Sequence, residues 1–262
     1  MTSFNLPERT IKPRKNGLTH VLDKGLGTNA IRDLIETAGN YIDIVKLGWG
    51  TSLLVPNLPK KIELLQNAEI KVCLGGTLFE YFFLHNQVKK YENLVEKLNV
   101  DYIEISDGTI SMPIAEKIKW IEHFAKKIKV FSEVGSKDLN SVRVAYKWID
   151  EIEHALQAGA YKIIAEGRES GTAGIFHATG EVHKDLIDEV LNQIPLHHFI
   201  FEAPQTAQQI WFIRQYGSNI SLGNISPNEV ISLESLRLGL RGDTLLHFHK
   251  KKAFLDDMAH EN

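Results

Sequence analysis

Four glutamates sit where glutamate is hardest to place. Glu104 in YIEISDG, Glu133 in VFSEVGSK, Glu166 in IIAEGRES and Glu202 in FIFEAP each break or end a short, apolar, β-branched run. Parallel strands are buried on both faces and should read as nearly continuous apolar runs. A lone buried carboxylate is costly unless it is paired or bound to a cation. Two earlier runs also end in charge, with Asp23 and Lys24 after the first and Lys46 after the second. One such residue could simply fill a core with an ion pair. The set points to a polar cavity, because buried ion pairs stabilise poorly compared with apolar packing. Oxygen ligands without a Cys/His pattern suit a hard cation such as Mg2+, with Glu104, Asp107, Glu133 and Glu166 as candidates. Strand alternation decides which of them face inward, and the sequence leaves that open.

Groups suited to anions lie close by. Gly75, Gly76 and Thr77 follow the third run and open a helix, whose backbone N–H groups could hold an anion. The stretch GRESGTAG offers Arg168, a planar fork for carboxylate or phosphate, together with Ser170. After the last run, NISPNEV reads as a helix start, with Ser226 as cap, Pro227 at the first position and Glu229 closing a capping box. A short extra helix there is a recurrent phosphate site in barrels, which brings in Asn224. Arg237 and Arg241 are read as cations at a helix C-terminus, Trp49 as packing with a pocket wall as the alternative, Asp43 as a structural partner and Cys73 as a small core residue.

Positioning these groups requires a repeated scaffold. Apolar runs at 19–22, 41–45, 70–74, 102–105, 130–134, 162–165, 199–201 and 220–222 alternate with longer amphipathic stretches. Helices are expected at 29–38, 114–128 and 144–158, the last ending at Gly159. Eight strand–helix pairs with right-handed crossovers close into a (β/α)8 TIM barrel, with a doubly wound open sheet as the rival. The 262 residues match a barrel's usual size of about 250. No linker interrupts the chain, so residues 1–262 read as one domain with a solvated arm (about 1–17) and a polar tail (about 246–262).

The net charge of −3 excludes a strongly basic nucleic-acid surface, and no apolar stretch is long enough for a membrane span. The single cysteine and the absence of an N-terminal apolar run suit a reducing, cytoplasmic setting. A homo-oligomer is compatible with all of this.

The stretches VLDKG, YIDIVKLGWGTS, GGTLFE, YIEISDGT, SEVGSK, EGRESGTAGI, FEAPQ and ISLESLRLGLRGDT resemble the phosphosulfolactate synthase family from about residue 17 to 244. Leu47 stands where that family's pattern leads one to expect an aromatic residue, and Gly223-Asn224 looks like a small-residue variant. The resemblance implies a Mg2+-dependent TIM barrel that adds sulfite to phosphoenolpyruvate, giving 2-phospho-3-sulfolactate. In methanogens that reaction opens coenzyme M biosynthesis. The expected cations are Lys24, Lys46 and Lys137, with Lys137 as the general acid. Arg168, Ser170, Gly75, Gly76, Asn224 and Asp23 are the expected substrate contacts. Two rivals remain. One is a Schiff-base aldolase on a phosphorylated substrate, using Lys46, Lys137 or Lys162. The other is a non-enzymatic role like that of the similar plant heat-stress-associated proteins.

Overall fold

A period of two along each strand sets the architecture. In a computed structural model, which describes residues 6–135 and 144–249, eight strands pair in chain order and close into a parallel barrel. They are β1 (Thr19–Asp23), β2 (Ile44–Leu47), β3 (Lys71–Leu74), β4 (Tyr102–Ile105), β5 (Lys129–Val134), β6 (Lys162–Ala165), β7 (Phe199–Glu202) and β8 (Leu222–Ile225). The helices between them include α1 (Thr28–Ala38), α2 (Leu58–Asn67), α3 (Gly76–Leu84), α4 (Val88–Leu98) and α5 (Ile114–Ala125). The later ones are α6 (Ala145–Gln157), α7 (Lys184–Leu191), α8 (Thr206–Tyr216) and α9 (Val230–Arg237).

Outward-facing strand residues such as Val21, Val45, Ile103 and Ile163 join the helices in one large apolar layer. Inward-facing ones form a second, smaller cluster of Leu18, Ile44, Cys73, Tyr102, Phe131, Ile164 and Ile200. Counting two residues on from members of this inner cluster gives Lys46, Glu104, Glu133, Glu166 and Glu202, all buried. Register therefore answers the question the sequence left open: all four glutamates stand above the apolar plug of the barrel, on the C-terminal side.

Two strands differ from expectation. β2 runs through Lys46 rather than ending before it, and β8 covers Leu222–Ile225 rather than 220–222. Gly223 and Asn224 thus lie inside a strand despite their poor β propensity. Ser226 caps no backbone group with its side chain, and residues Pro227–Glu229 form a single 3-10 turn instead of a boxed helix start. A capping box does form at α8, between Gln205 and Gln208.

The opposite end of the barrel is closed by ion pairs. Arg237 does end helix α9, but it is fully buried there and donates to the carbonyls of Ser218 and Ile220 at 2.6 Å and of Leu18 at 3.2 Å. Nor are the described residues of the N-terminal arm merely solvated. Arg9 pairs with Glu234 at 3.0 Å and Arg14 with Asp43 at 3.2 Å, with little of any of these side chains exposed. The carbonyls at the N-terminal ends of β1 and β8 need donors, and the arm and α9 bring them.

Lys162 opens β6 at this closed end, away from the glutamates, and donates to the His197 carbonyl at 2.5 Å. Among the described residues it has no carboxylate partner, and burial lowers its amine to about 8. Between pH of about 8 and 10.5 the folded protein therefore binds fewer protons than the unfolded chain, so its stability rises with pH across that window. Lys162→Met should raise the melting temperature at pH 7, with the gain shrinking as pH passes from 8 toward 10.5. Thermal melts at both ends of the window check this, and a lower melting point at pH 7 would contradict it.

Candidate active site

The glutamates look into one cavity of about 590 Å3 at the C-terminal mouth. Its described lining includes Lys46, Gly75, Gly76, Thr77, Glu104, Thr109, Glu133, Glu166, Arg168, Glu169, Ser170, Glu202 and Asn224, with Leu22 and Trp49 as apolar walls. Barrel active sites lie at this face.

Lys46 is the hub. Its Nζ donates to Glu202 at 2.8 Å and stands 3.3 Å from Glu104. Burial alone would push its ammonium down. The carboxylates of Glu104, Glu202 and Glu133 outweigh that and hold it well above the usual lysine value. Glu104 is raised as well, pushed up to about 7. Burial is the main cause, the Glu133 and Glu202 charges add to it, and Lys46 and the Gly76 amide oppose it.

A short hydrogen-bonded chain extends sideways. Ser106 Oγ lies 2.5 Å from Glu80 and 2.7 Å from Glu133, all three buried. A hydroxyl has one proton and can serve one carboxylate at a time. The Gly76 amide donates to the other Glu104 oxygen at 3.0 Å, so the anion met at this helix N-terminus is the chain's own. A Cβ on Gly76 would stand 2.4 Å from that of Ser106, so only glycine allows α3 to approach β4 this closely. Gly167 completes the ring by donating to Glu202 at 3.0 Å.

Backbone strain gathers at the same mouth. Trp49, Arg168 and Asn224 all have positive φ, at 51°, 57° and 54°. Such residues cost about 1–3 kcal/mol each and persist where the surroundings impose them. Gly174 folds the loop after β6 back so tightly that a Cβ would fall 1.8 Å from the Glu166 carbonyl oxygen. Trp49 is thus a cavity wall, not core packing, and is 40% exposed.

Three expected site residues lie elsewhere. Asp23 is fully buried and turned to brace its own loop, accepting from the amides of Gly25 and Leu26 at 2.8 and 2.7 Å and pairing with Lys61 of α2. Asp107 pairs with Lys117 of α5 at 2.7 Å and does not line the cavity. Lys24 is half-exposed and bonds Glu169, joining the loops after β1 and β6 at the rim. Lys137 lies outside the described residues. Glu202 as the partner of Lys46, and the Glu80–Ser106 pair, are features that strand patterns did not announce.

The donor set fits a hard divalent cation. The cavity presents the carboxylate oxygens of Glu104, Glu133, Glu166 and Glu202 and no thiolate or imidazole among its described lining.

A closed parallel barrel with a charged mouth defines a (β/α)8 TIM-barrel enzyme. The 3-hexulose-6-phosphate synthase of Salmonella typhimurium superposes with a TM-score of 0.53 at 12% identity, covering 83% of this chain and 98% of that one. At such identity the likeness speaks for the fold alone. Sequence is more specific. The (2R)-phospho-3-sulfolactate synthase family matches residues 7–243. A phosphosulfolactate synthase of Bacillus subtilis is 42% identical over 245 residues, 92% of this chain and 97% of the relative. One from Methanothermobacter thermautotrophicus is 39% identical, over 92% and 96%. The chain belongs to the phosphosulfolactate synthase family. The heat-stress-associated protein 32 of Arabidopsis thaliana is more distantly similar, at 22% identity over 88% of each chain. Among the described residues no helix is long and apolar enough to cross a membrane.

Proposed function

We propose that this protein adds sulfite to phosphoenolpyruvate and releases 2-phospho-3-sulfolactate, the chemistry of a carbon–sulfur lyase. The observation that carries the reading is the match across 92% of the chain to a phosphosulfolactate synthase, together with one cavity that gathers Lys46, Arg168 and four buried glutamates. Sulfur attacks the terminal methylene carbon, the π electrons move toward the carboxylate, and the phosphate-bearing carbon then takes up a proton. Both reactants are anions, so the mouth must concentrate positive charge. Lys46 is held protonated by its glutamates and faces the cavity, ready to stabilise charge that grows on the substrate carboxylate. Arg168 and Ser170, with Asn224 across the mouth, are assigned to the phosphate. Lys137 is retained as the proton donor.

Glu104, Glu133 and Glu166, joined by Glu202, would hold Mg2+. Bound there, it would supply charge to offset the substrate's carboxylate and phosphate. A protonated Lys46 in a carboxylate cage is a poor imine-forming amine, and Lys162 lies at the far end of the barrel. Both points disfavour the aldolase alternative.

Purified protein incubated with phosphoenolpyruvate, sulfite and Mg2+ should yield phosphosulfolactate by mass spectrometry, and EDTA should suppress it. No product across a range of pH and Mg2+ concentration would set the reading aside.

A further inference from the structure

His20 is anomalous. It is fully buried inside the barrel, and neither ring nitrogen has a hydrogen-bond partner among the described residues. Its Nε2 lies 3.9 Å from Glu104 Oε1, an oxygen that also makes no hydrogen bond despite its ion pair with Lys46. Cys73 stands beside them. One ligand atom from each of His20, Cys73 and Glu104 lies within 4.8 Å of the other two, and all three residues are buried. Among the described residues the thiol's only hydrogen bond is a weak one to the adjoining Leu74 carbonyl, at 3.4 Å. A Cβ on Gly223 would meet Ile200 at 3.1 Å and His20 Nδ1 at 3.4 Å, so β8 passes close beside the ring. Buried polar groups left without partners are costly, and two adjacent ones aimed at a thiol call for a ligand.

We propose that His20, Cys73 and Glu104 form a binding site for a divalent cation of the zinc class, directly beneath the mouth, with the Glu104 carboxylate shared between this site and the Mg2+ position above it. Thiolate and imidazole select borderline and soft metals over Mg2+, and a carboxylate completes a common zinc donor set. The three ligands come from β1, β3 and β4, so the barrel itself holds them. Glu104 lines the cavity, which leaves a fourth position facing the mouth. With metal–ligand bonds of about 2.0–2.3 Å, tetrahedral ligand atoms stand about 3.3–3.8 Å apart, so the trio must contract by roughly 1 Å. Lys46 opposes a cation here, but its stronger contact is already with Glu202, at 2.8 Å against 3.3 Å to Glu104. On binding, the Cys73 sulfur–hydrogen bond breaks, the sulfur keeps the electron pair and donates it to the metal, and one proton leaves to solvent.

Cobalt(II) tests this without reference to turnover. The full chain, stripped of metal by a chelator, is titrated with Co2+ and followed by absorption. A near-ultraviolet thiolate-to-cobalt band should grow and saturate at one equivalent, and added Zn2+ should bleach it. The chain has one cysteine, so such a band has a single possible source. His20→Val should weaken Co2+ binding by more than about tenfold with an unchanged circular dichroism spectrum. No thiolate band in the native sequence overturns the proposal, and so does a band of unaltered affinity in folded His20→Val. Because the readout is spectroscopic, its failure leaves the sulfite-addition reading standing, and the converse also holds.

Discussion

Lys46→Met should reduce turnover by at least about 10^2–10^3-fold, the usual cost of removing one preorganised charge that stabilises a transition state. The side chain touches Glu202 and Glu104 and faces the cavity, so among the described residues it is the cation placed closest to the carboxylate cluster. The loss should appear in kcat more than in KM, because the charge acts where negative charge develops rather than on the bound substrate alone. Stability should suffer less than the break of a buried ion pair usually implies, about 3–5 kcal/mol. The reason is that Glu104 already titrates near 7 and can escape by taking a proton. The sign is definite. A carboxylate raised in the folded state makes the folded protein bind more protons than the unfolded chain between pH of about 4.5 and 7, so stability falls as pH rises through that window. Without Lys46 the upper edge moves to higher pH. Thermal melts of Lys46→Met should therefore show a deficit against the native protein that grows from pH 5 to pH 8. Equal kcat in the variant, or a deficit largest at pH 5, would remove Lys46 from the role given to it.

The barrel was legible because its strands are apolar, β-branched and evenly spaced, and helices announce themselves by a different period. The inward direction of Glu104, Glu133, Glu166 and Glu202 was not, although the information was present. Each lies two residues beyond an interior apolar side chain, in Tyr102, Phe131, Ile164 and Ile200. Once the inner cluster is known, the period of two fixes the rest. What no local pattern could reveal is which strand-end acids are already spoken for. Asp23 and Asp107 look like the site glutamates in sequence, yet each is claimed by a lysine on a neighbouring helix, Lys61 and Lys117. Those lysines sit on α2, which the sequence reading did not name, and on α5, which read as an ordinary amphipathic helix, and each is almost wholly buried. Strand β8 was misplaced for a related reason. Gly223 and Asn224 weaken the strand signal, although Gly223 packs tightly against Ile200 inside the barrel and Asn224 lines the mouth.

Lys117 itself carries the largest expected effect on stability. It is fully buried on α5, and its Nζ reaches Asp107 at 2.7 Å, Glu151 of α6 at 2.6 Å and the Glu133 carbonyl at 2.5 Å. One ammonium has three protons, and all three are used. Burial pulls its protonation down, but the charges of Glu151 and Asp107 prevail and raise it. Lys117→Met leaves two carboxylates facing each other around an apolar side chain, and removal of one partner from such a group costs about 3–5 kcal/mol. For a domain of this size that is a fall in melting temperature of roughly 10 °C. Adding Asp107→Asn and Glu151→Gln to the variant should recover part of the loss, because the penalty lies in the unpaired charges rather than in the missing amine. A melting point within about 2 °C of the native one would show that the triad does not hold these elements. The same substitution reaches the mouth by a traceable route. Lys117 grips the backbone of Glu133, whose side chain meets Ser106 and lines the cavity. Turnover should fall even where the variant is fully folded, and the triple variant, which restores charge balance but not the grip on that carbonyl, should regain stability without regaining full activity.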